Sequence, residues 1–172
     1  MGLISGTDKP ALPSPSGCIF CDYPPPPGAA VDAEWHRARY LICSTPHALL
    51  MLNRFPYING HLLVAPRAHV AQLDELAAED FAGLHELLRD AIGALRAAYQ
   101  PHAINVGMNL GEAAGAGIAG HLHYHVVPRW VGDNNFMPVL FDTRVINEAL
   151  EQTYQRVGAA YGALRGEGEE RS

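Results

Sequence analysis

His121-Leu122-His123-Tyr124-His125-Val126-Val127-Pro128-Arg129-Trp130 carries an imidazole at every second position from 121 to 125. Extended backbone flips side chains at each step and rises roughly 3.3 Å per residue. His121, His123 and His125 are therefore expected on one face of a strand, about 7 Å apart, with Leu122, Tyr124 and Val126 packed behind them. A row of imidazoles facing a cleft is a site for phosphate or for a metal. Read alone, the stretch equally fits a solvated His-rich strand or a transition-metal tract.

Upstream lies Asn109-Leu110-Gly111-Glu112-Ala113-Ala114-Gly115-Ala116-Gly117-Ile118-Ala119-Gly120. A Gly-rich loop entering such a strand can aim backbone N–H groups at the anion the imidazoles contact. Asn109 stands where this loop leaves its strand. Its amide either reaches phosphate or caps the loop.

Further out, Arg39 to Ser44, His47 to Asn53 and His61 to Ala65 are rich in Leu, Ile and Val and separated by Pro-containing turns, an antiparallel meander. Phe81, Leu84, Leu88, Ile92, Leu95 and Tyr99 recur at three and four, predicting a long helix that stops against Pro101. Ala103 to Met108 is the next strand. Ile146, Leu150, Tyr154, Val157, Tyr161 and Leu164 predict a second helix beyond Phe141. The order is α+β, an antiparallel sheet with helices packed against one face.

At 172 residues, 48% hydrophobic, the chain can bury one core. A net charge of −6 argues against a general nucleic-acid coat, while a nucleotide site needs only a local positive potential. With no membrane-length apolar run and no leader pattern, the expected location is cytoplasmic. Cys18, Cys21 and Cys43 do not make a secreted disulfide framework. Residues 1–16 read as a flexible tail, Pro24 to Pro27 as a stiff connector, and 167–172 as a charged, frayed end.

Cys18-x-x-Cys21 has zinc-ligand spacing but supplies only half of a tetrahedral site. A pair of buried thiols is the alternative, and a redox motif is disfavoured because no helix pattern follows directly. Asn53, ahead of Arg54 and Pro56, reads on its own as a turn residue. His61 opens an apolar strand and alone would be an ordinary rim histidine. His36, His47, His85 and His102 have no supporting constellation.

The triple histidine, the Gly-rich loop, Pro128-Arg129-Trp130 and Asn53-x-x-Pro56-x-x-x-Gly60-His61 together resemble the histidine triad superfamily of nucleotide hydrolases and transferases, from about Cys18 to Phe136. The resemblance implies an antiparallel sheet of about five strands with a long helix and a C-terminal helix, as one catalytic domain over 17–166. It implies that His123 is the nucleophile forming a nucleotidyl-histidine, that His125 contacts phosphate and the departing oxygen, and that His121 completes the catalytic row. A neutral imidazole suits this chemistry, being a good nucleophile and a tolerable leaving group. Asn53, His61, Asn109, Gly115, Ala116 and Gly117 are the implied substrate-binding positions. Zinc-containing members imply Cys18, Cys21, His69 and His121 as ligands of a structural zinc. No organic cofactor is expected, and a homodimer or higher homo-oligomer through the long helix and a neighbouring strand is.

Two departures narrow the reading. The hydrolase branch carries Gln in Gly-Gln-x-Val-x-His, whereas Gly115 to His121 here has none; the hexose-phosphate uridylyltransferase branch replaces the third His, whereas His125 is kept. The loop and Pro128-Arg129-Trp130-Val131-Gly132-Asp133-Asn134-Asn135-Phe136 look most like the bacterial diadenosine tetraphosphate phosphorylase group. That implies inorganic phosphate as acceptor of the adenylyl group. Hydrolysis of dinucleoside polyphosphates or phosphoramidates, and a zinc-stabilised nucleotide sensor with little turnover, are the other expectations.

Overall fold

Leu49 and Met51 point to one side of their strand and Ala48, Leu50 and Leu52 to the other, and every one of them is buried. A strand apolar on both faces must lie between two packed layers. In the computed structural model, described here for residue 12, residues 14–26, residue 29, residues 32–133 and residues 148–166, that strand is the second of five. They are β1 (Leu41–Ser44), β2 (Ala48–Leu52), β3 (Leu62–Pro66), β4 (Ala103–Met108) and β5 (Tyr124–Arg129). All pairs are antiparallel, in the order β1-β2-β3-β5-β4. Expected residues at 27, 134–136 and 146, together with most of the N-terminal tail and the charged C-terminal end, lie outside the described residues.

One sheet face packs on α3 (Ala78–Tyr99) and α4 (Leu150–Arg165), burying Leu50, Leu52, Leu62, Val64 and Val126 against Leu84, Leu88, Leu95, Val157 and Tyr161. Leu87, Ala91 and Ala94 share the helix's buried face, while Phe81, expected in the apolar stripe, is 42% exposed. α3 ends at Gln100, which takes a left-handed conformation and donates its N–H to the Arg96 carbonyl ahead of Pro101. Glu148 clasps the two helices, accepting from the Tyr99 hydroxyl and from Thr153 Oγ1 at 3.0 Å and pairing with Arg156 at 2.9 Å. No helix among the described residues is long and apolar enough to cross a membrane.

The opposite face carries Leu49, Met51, Leu63 and Ala65 under a smaller cover of Cys18, Phe20 and Tyr23. Phe20 sits on a one-turn helix, α1 (Ile19–Asp22). Arg39, expected to open the first strand, instead ends a helix, α2 (Ala33–Arg39). The Asp32 side chain accepts from Trp35 N–H at 2.8 Å and so caps this helix at its N-terminus. Trp35 Nε1–H in turn donates to the Tyr23 carbonyl at 3.2 Å, tying this helix to the cover.

The expected strand for the histidine row is shorter than its pattern. It begins at Tyr124, so only His125 lies in β5, and the His123 and His125 ring centroids are 4.9 Å apart, closer than the 7 Å that strand geometry predicts. Proline is the physical reason. Pairing of Leu62 with Val126 and Val64 with Tyr124, carried two residues further, sets Pro66 opposite Leu122, and proline has no N–H for the ladder. Leu122 N–H turns to the Val70 carbonyl instead, at 2.8 Å.

Gly60, between β2 and β3, has φ +81°, and a Cβ there would lie 3.1 Å from Pro128 Cγ, 3.2 Å from Tyr99 Cε2 and 3.3 Å from Leu95 Cδ2. Gly60→Ala therefore combines a left-handed backbone with overpacking, and is expected to cost about 2 kcal/mol or more in chemical denaturation. A loss below about 0.5 kcal/mol would show that the turn relaxes freely.

Candidate active site and metal centre

Tautomers follow from the hydrogen-bond partners of each ring. His121 Nε2 lies 3.0 Å from the Pro66 carbonyl, so it carries the proton and leaves Nδ1 as a lone pair. His123 Nδ1 lies 2.9 Å from the His121 carbonyl, so its proton is there and Nε2 is the lone pair. His61 Nδ1 accepts Tyr57 N–H at 3.1 Å, which puts its proton on Nε2, 2.9 Å from His125 Nδ1. His125 thus keeps its own proton on Nε2. Adjacent rings of the row present opposite functions: a nucleophilic nitrogen on His123 and a donor on His125.

Burial keeps these rings neutral. It depresses His121 to about 4, and also lowers His123 and His125, the last further disfavoured by a charge on His123. Each ring has a lone pair near neutral pH.

His123 and His125 line a cleft of about 470 Å³. Ile19, Phe20, Tyr23, Met51, Leu63 and Ile118 give it an apolar wall, while Asn53, Arg54, Phe55, Tyr57, Gly115 and Gly117 also line it. Such a mixture of apolar walls and a few directed polar groups is typical of small-molecule sites. Asn53 serves both readings of its position: it faces the cleft and its Oδ1 accepts Phe55 N–H at 2.9 Å as a turn residue does. Asn109 takes the capping role, its Nδ2 donating to the Gly115 carbonyl at 3.3 Å; neither it nor Ala116 lines the cleft. Gly115 needs its φ of +87° to turn the loop toward the histidines.

His121 points elsewhere. Fully buried, it joins Cys18, Cys21 and His69, whose ligand atoms all lie within 4.8 Å of one another. Cys18 Sγ is 3.3 Å and Cys21 Sγ 3.5 Å from His121 Nδ1; His69 Nδ1 is 3.2 Å from both Cys21 Sγ and His121 Nδ1. Zinc bonds of about 2.3 Å to sulfur and 2.0 Å to nitrogen make tetrahedral edges of about 3.5 Å (S to N) and about 3.3 Å (N to N). The donor set is compatible with a structural zinc, and the Pro66 carbonyl fixes the His121 tautomer that a metal requires. Burial, the neighbouring Cys18 thiol and Asp22 push Cys21 up to about 11, against a smaller lowering by Arg67.

Phe20 links the two centres. Its buried ring lies 5.1 Å from the His121 ring and 4.9 Å from that of His123. Neither Phe20 nor Tyr57 stands out in the sequence, although an aromatic inside Cys-x-x-Cys and another four residues before His61 were the available signals.

A model of the HIT domain matches residues 37–131, more than half of the chain. The chain belongs to the HIT family. Among its HIT relatives is an AP-4-A phosphorylase of Mycobacterium tuberculosis, 43% identical over 103 residues, which make up 60% of this chain and 53% of the relative. The chain thus spans about half the length of that relative. An uncharacterised HIT-like protein of Saccharolobus solfataricus is 30% identical over 120 residues, 70% of this chain and 79% of that protein. The fold is similar to a Zn-bound histidine triad family protein from Mycobacterium smegmatis, with TM-score 0.61 and 26% identity over 74% of this chain and 87% of the other.

Proposed function

We propose that this HIT protein transfers an adenylyl group from a dinucleoside polyphosphate such as diadenosine tetraphosphate, through a covalent intermediate on His123, with inorganic phosphate as acceptor. The observation that carries it is the pairing of opposite tautomers at the cleft, a lone pair on His123 Nε2 beside a proton on His125 Nε2.

His123 Nε2 attacks the α-phosphorus and a P–N bond forms as the bridging P–O bond breaks. His125 Nε2–H donates a hydrogen bond to the departing oxygen, so the negative charge that ATP carries away is stabilised as it forms and no proton need be transferred. His61 Nε2–H, bonded to His125 Nδ1, holds His125 in the tautomer whose Nε2–H faces the leaving oxygen. Phosphate then attacks the same phosphorus, the P–N bond breaks, and ADP leaves with His123 restored. Gly115 and Gly117 allow close backbone approach to the phosphates, and Asn109 holds the loop through Gly115. Asn53 is placed to bind the ribose.

The similarity to the Mycobacterium tuberculosis AP-4-A phosphorylase supports the substrate class, and the lining of the loop supports the acceptor. Water must be oriented by a side chain, whereas a phosphate dianion can be held by several N–H groups. Gly115, Ala116 and Gly117 offer no polar side chain to orient water. Zinc held by Cys18, Cys21, His69 and His121 belongs to the same reading, supported by the donor geometry and by the Zn-bound Mycobacterium smegmatis relative. Its contribution would be to tie the N-terminal cover to the histidine segment. A homodimer formed through α3 and the edge strand β4, where Val106 is exposed, completes it.

Product analysis tests the acceptor. Millimolar phosphate is expected to accelerate breakdown of diadenosine tetraphosphate and to yield ATP plus ADP, and Asn109→Ala to weaken that response. If phosphate only competes and AMP appears in constant proportion, hydrolysis replaces phosphorolysis.

A further inference from the structure

A dinucleoside polyphosphate has two bases at the ends of a phosphate chain, and the cleft described above accounts for one. Tyr57 also lines a second cavity, of about 330 Å³, shared with Ile58, Asn105, Val127, Arg129 and Asp133. Both volumes lie within the range of roughly 300–1,000 Å³ usual for small-molecule sites. The Tyr57 ring is the partition between them.

That ring is unusually placed. It packs against the His61 ring at 4.6 Å and stacks on the His125 ring at 6.0 Å with 26° between planes, yet remains 54% exposed. An aromatic side chain that exposed loses apolar burial unless something covers it. On the far side the cavity is polar as well as apolar. Arg129 makes two bonds to Asp133, at 2.6 and 2.8 Å, and one to Asn105 Oδ1 at 2.9 Å, so the guanidinium, carboxylate and amide are held in fixed orientation. Fixed donors and acceptors beside an aromatic face suit a nucleoside, with its flat base and its ribose hydroxyls, better than a bare phosphate. The Arg129 charge is already balanced by Asp133, which is held near 2 by that pairing.

We infer that the second cavity receives the distal nucleoside of the dinucleotide, with Tyr57 as the stacking platform that divides it from the reactive imidazoles. This rests on the dinucleotide reading above. His125, which donates to the departing oxygen, stacks on the Tyr57 ring, so the leaving nucleotide departs beside the residue that the two cavities share. Tyr57 makes the site selective for dinucleotides over mononucleotides by adding contacts that only the leaving half can reach.

Binding, not turnover, tests this. Calorimetry would compare AMP with a diadenosine tetraphosphate analogue carrying methylene in place of the α,β-bridging oxygens, on wild-type protein and on Tyr57→Leu, Tyr57→Phe and Val127→Trp. Tyr57→Leu is expected to weaken the analogue roughly tenfold more than it weakens AMP, the scale of one base–aromatic stack. Tyr57→Phe should restore the affinity, and Val127→Trp, which fills the second cavity, should weaken the analogue alone. Equal weakening of AMP and analogue, no change in either, or a wild type that binds both equally, overturns the inference. A wild type that prefers the analogue but never cleaves diadenosine tetraphosphate overturns the proposed function and leaves the distal subsite standing.

Discussion

His123→Asn will abolish turnover of diadenosine tetraphosphate, by at least about 10³-fold in kcat, while AMP binds within about threefold of the wild-type affinity. Asparagine can still donate to the His121 carbonyl from its amide, so the local backbone is kept, but it offers no nitrogen lone pair toward the cleft. The apolar wall, Asn53 and the glycine loop are untouched, and these account for ground-state binding. Rapid quench with labelled dinucleotide should trap an acid-labile adenylyl adduct on the wild type and none on the variant. Retention of more than about a tenth of the activity would remove His123 from the nucleophile's position. The outcome also separates enzyme from sensor: a sensor would lose nothing measurable on this substitution, because its binding groups are those that remain.

The parts of the fold legible in the sequence are those where a residue type can do only one thing. Apolar residues at three and four could only be α3, and the meander of β1, β2 and β3 followed from Leu-rich runs between turns. The cluster of Cys18, Cys21, His69 and His121 came from the family resemblance, and the structure brings those four together. The histidine row misled as geometry. Its alternation promised a strand from His121, yet the break is set by Pro66, 55 residues away along the chain.

What escaped the sequence is carried by backbone. The Pro66 and His121 carbonyls and the Tyr57 N–H decide which nitrogen of each imidazole holds its proton. Every residue has such groups, so no residue type announces them, and only the fold brings them within 3.1 Å of a ring. The same applies to Phe20 and Tyr57, ordinary core and turn aromatics until their rings are seen against histidines.

Zinc is where the second large effect is expected. The sheet and its two helices have a core that includes none of the four candidate donors' side chains, so the protein without metal should remain folded there. The cover behaves differently. Cys18, Phe20 and Tyr23 bury themselves over Leu49, Met51 and Leu63 on a helix of only one turn, too short to hold itself. Metal at a thousandfold excess over its Kd contributes about 4 kcal/mol to whatever it ties together. For a domain of this size that is about 8–16 °C in melting temperature. Protein purified without chelators is therefore expected to contain about one zinc per chain by elemental analysis. Cys18→Ser, or exhaustive chelation, should lower the melting temperature by about that much and release the cover as a protease-sensitive segment, while hydrogen exchange in α3 and β2 stays slow. Activity should fall less steeply than with His123→Asn, since the reacting nitrogens remain. Absence of metal from such a preparation, together with unchanged melting of Cys18→Ser, would return the four residues to an ordinary buried cluster and leave His121 acting through its carbonyl on His123 alone.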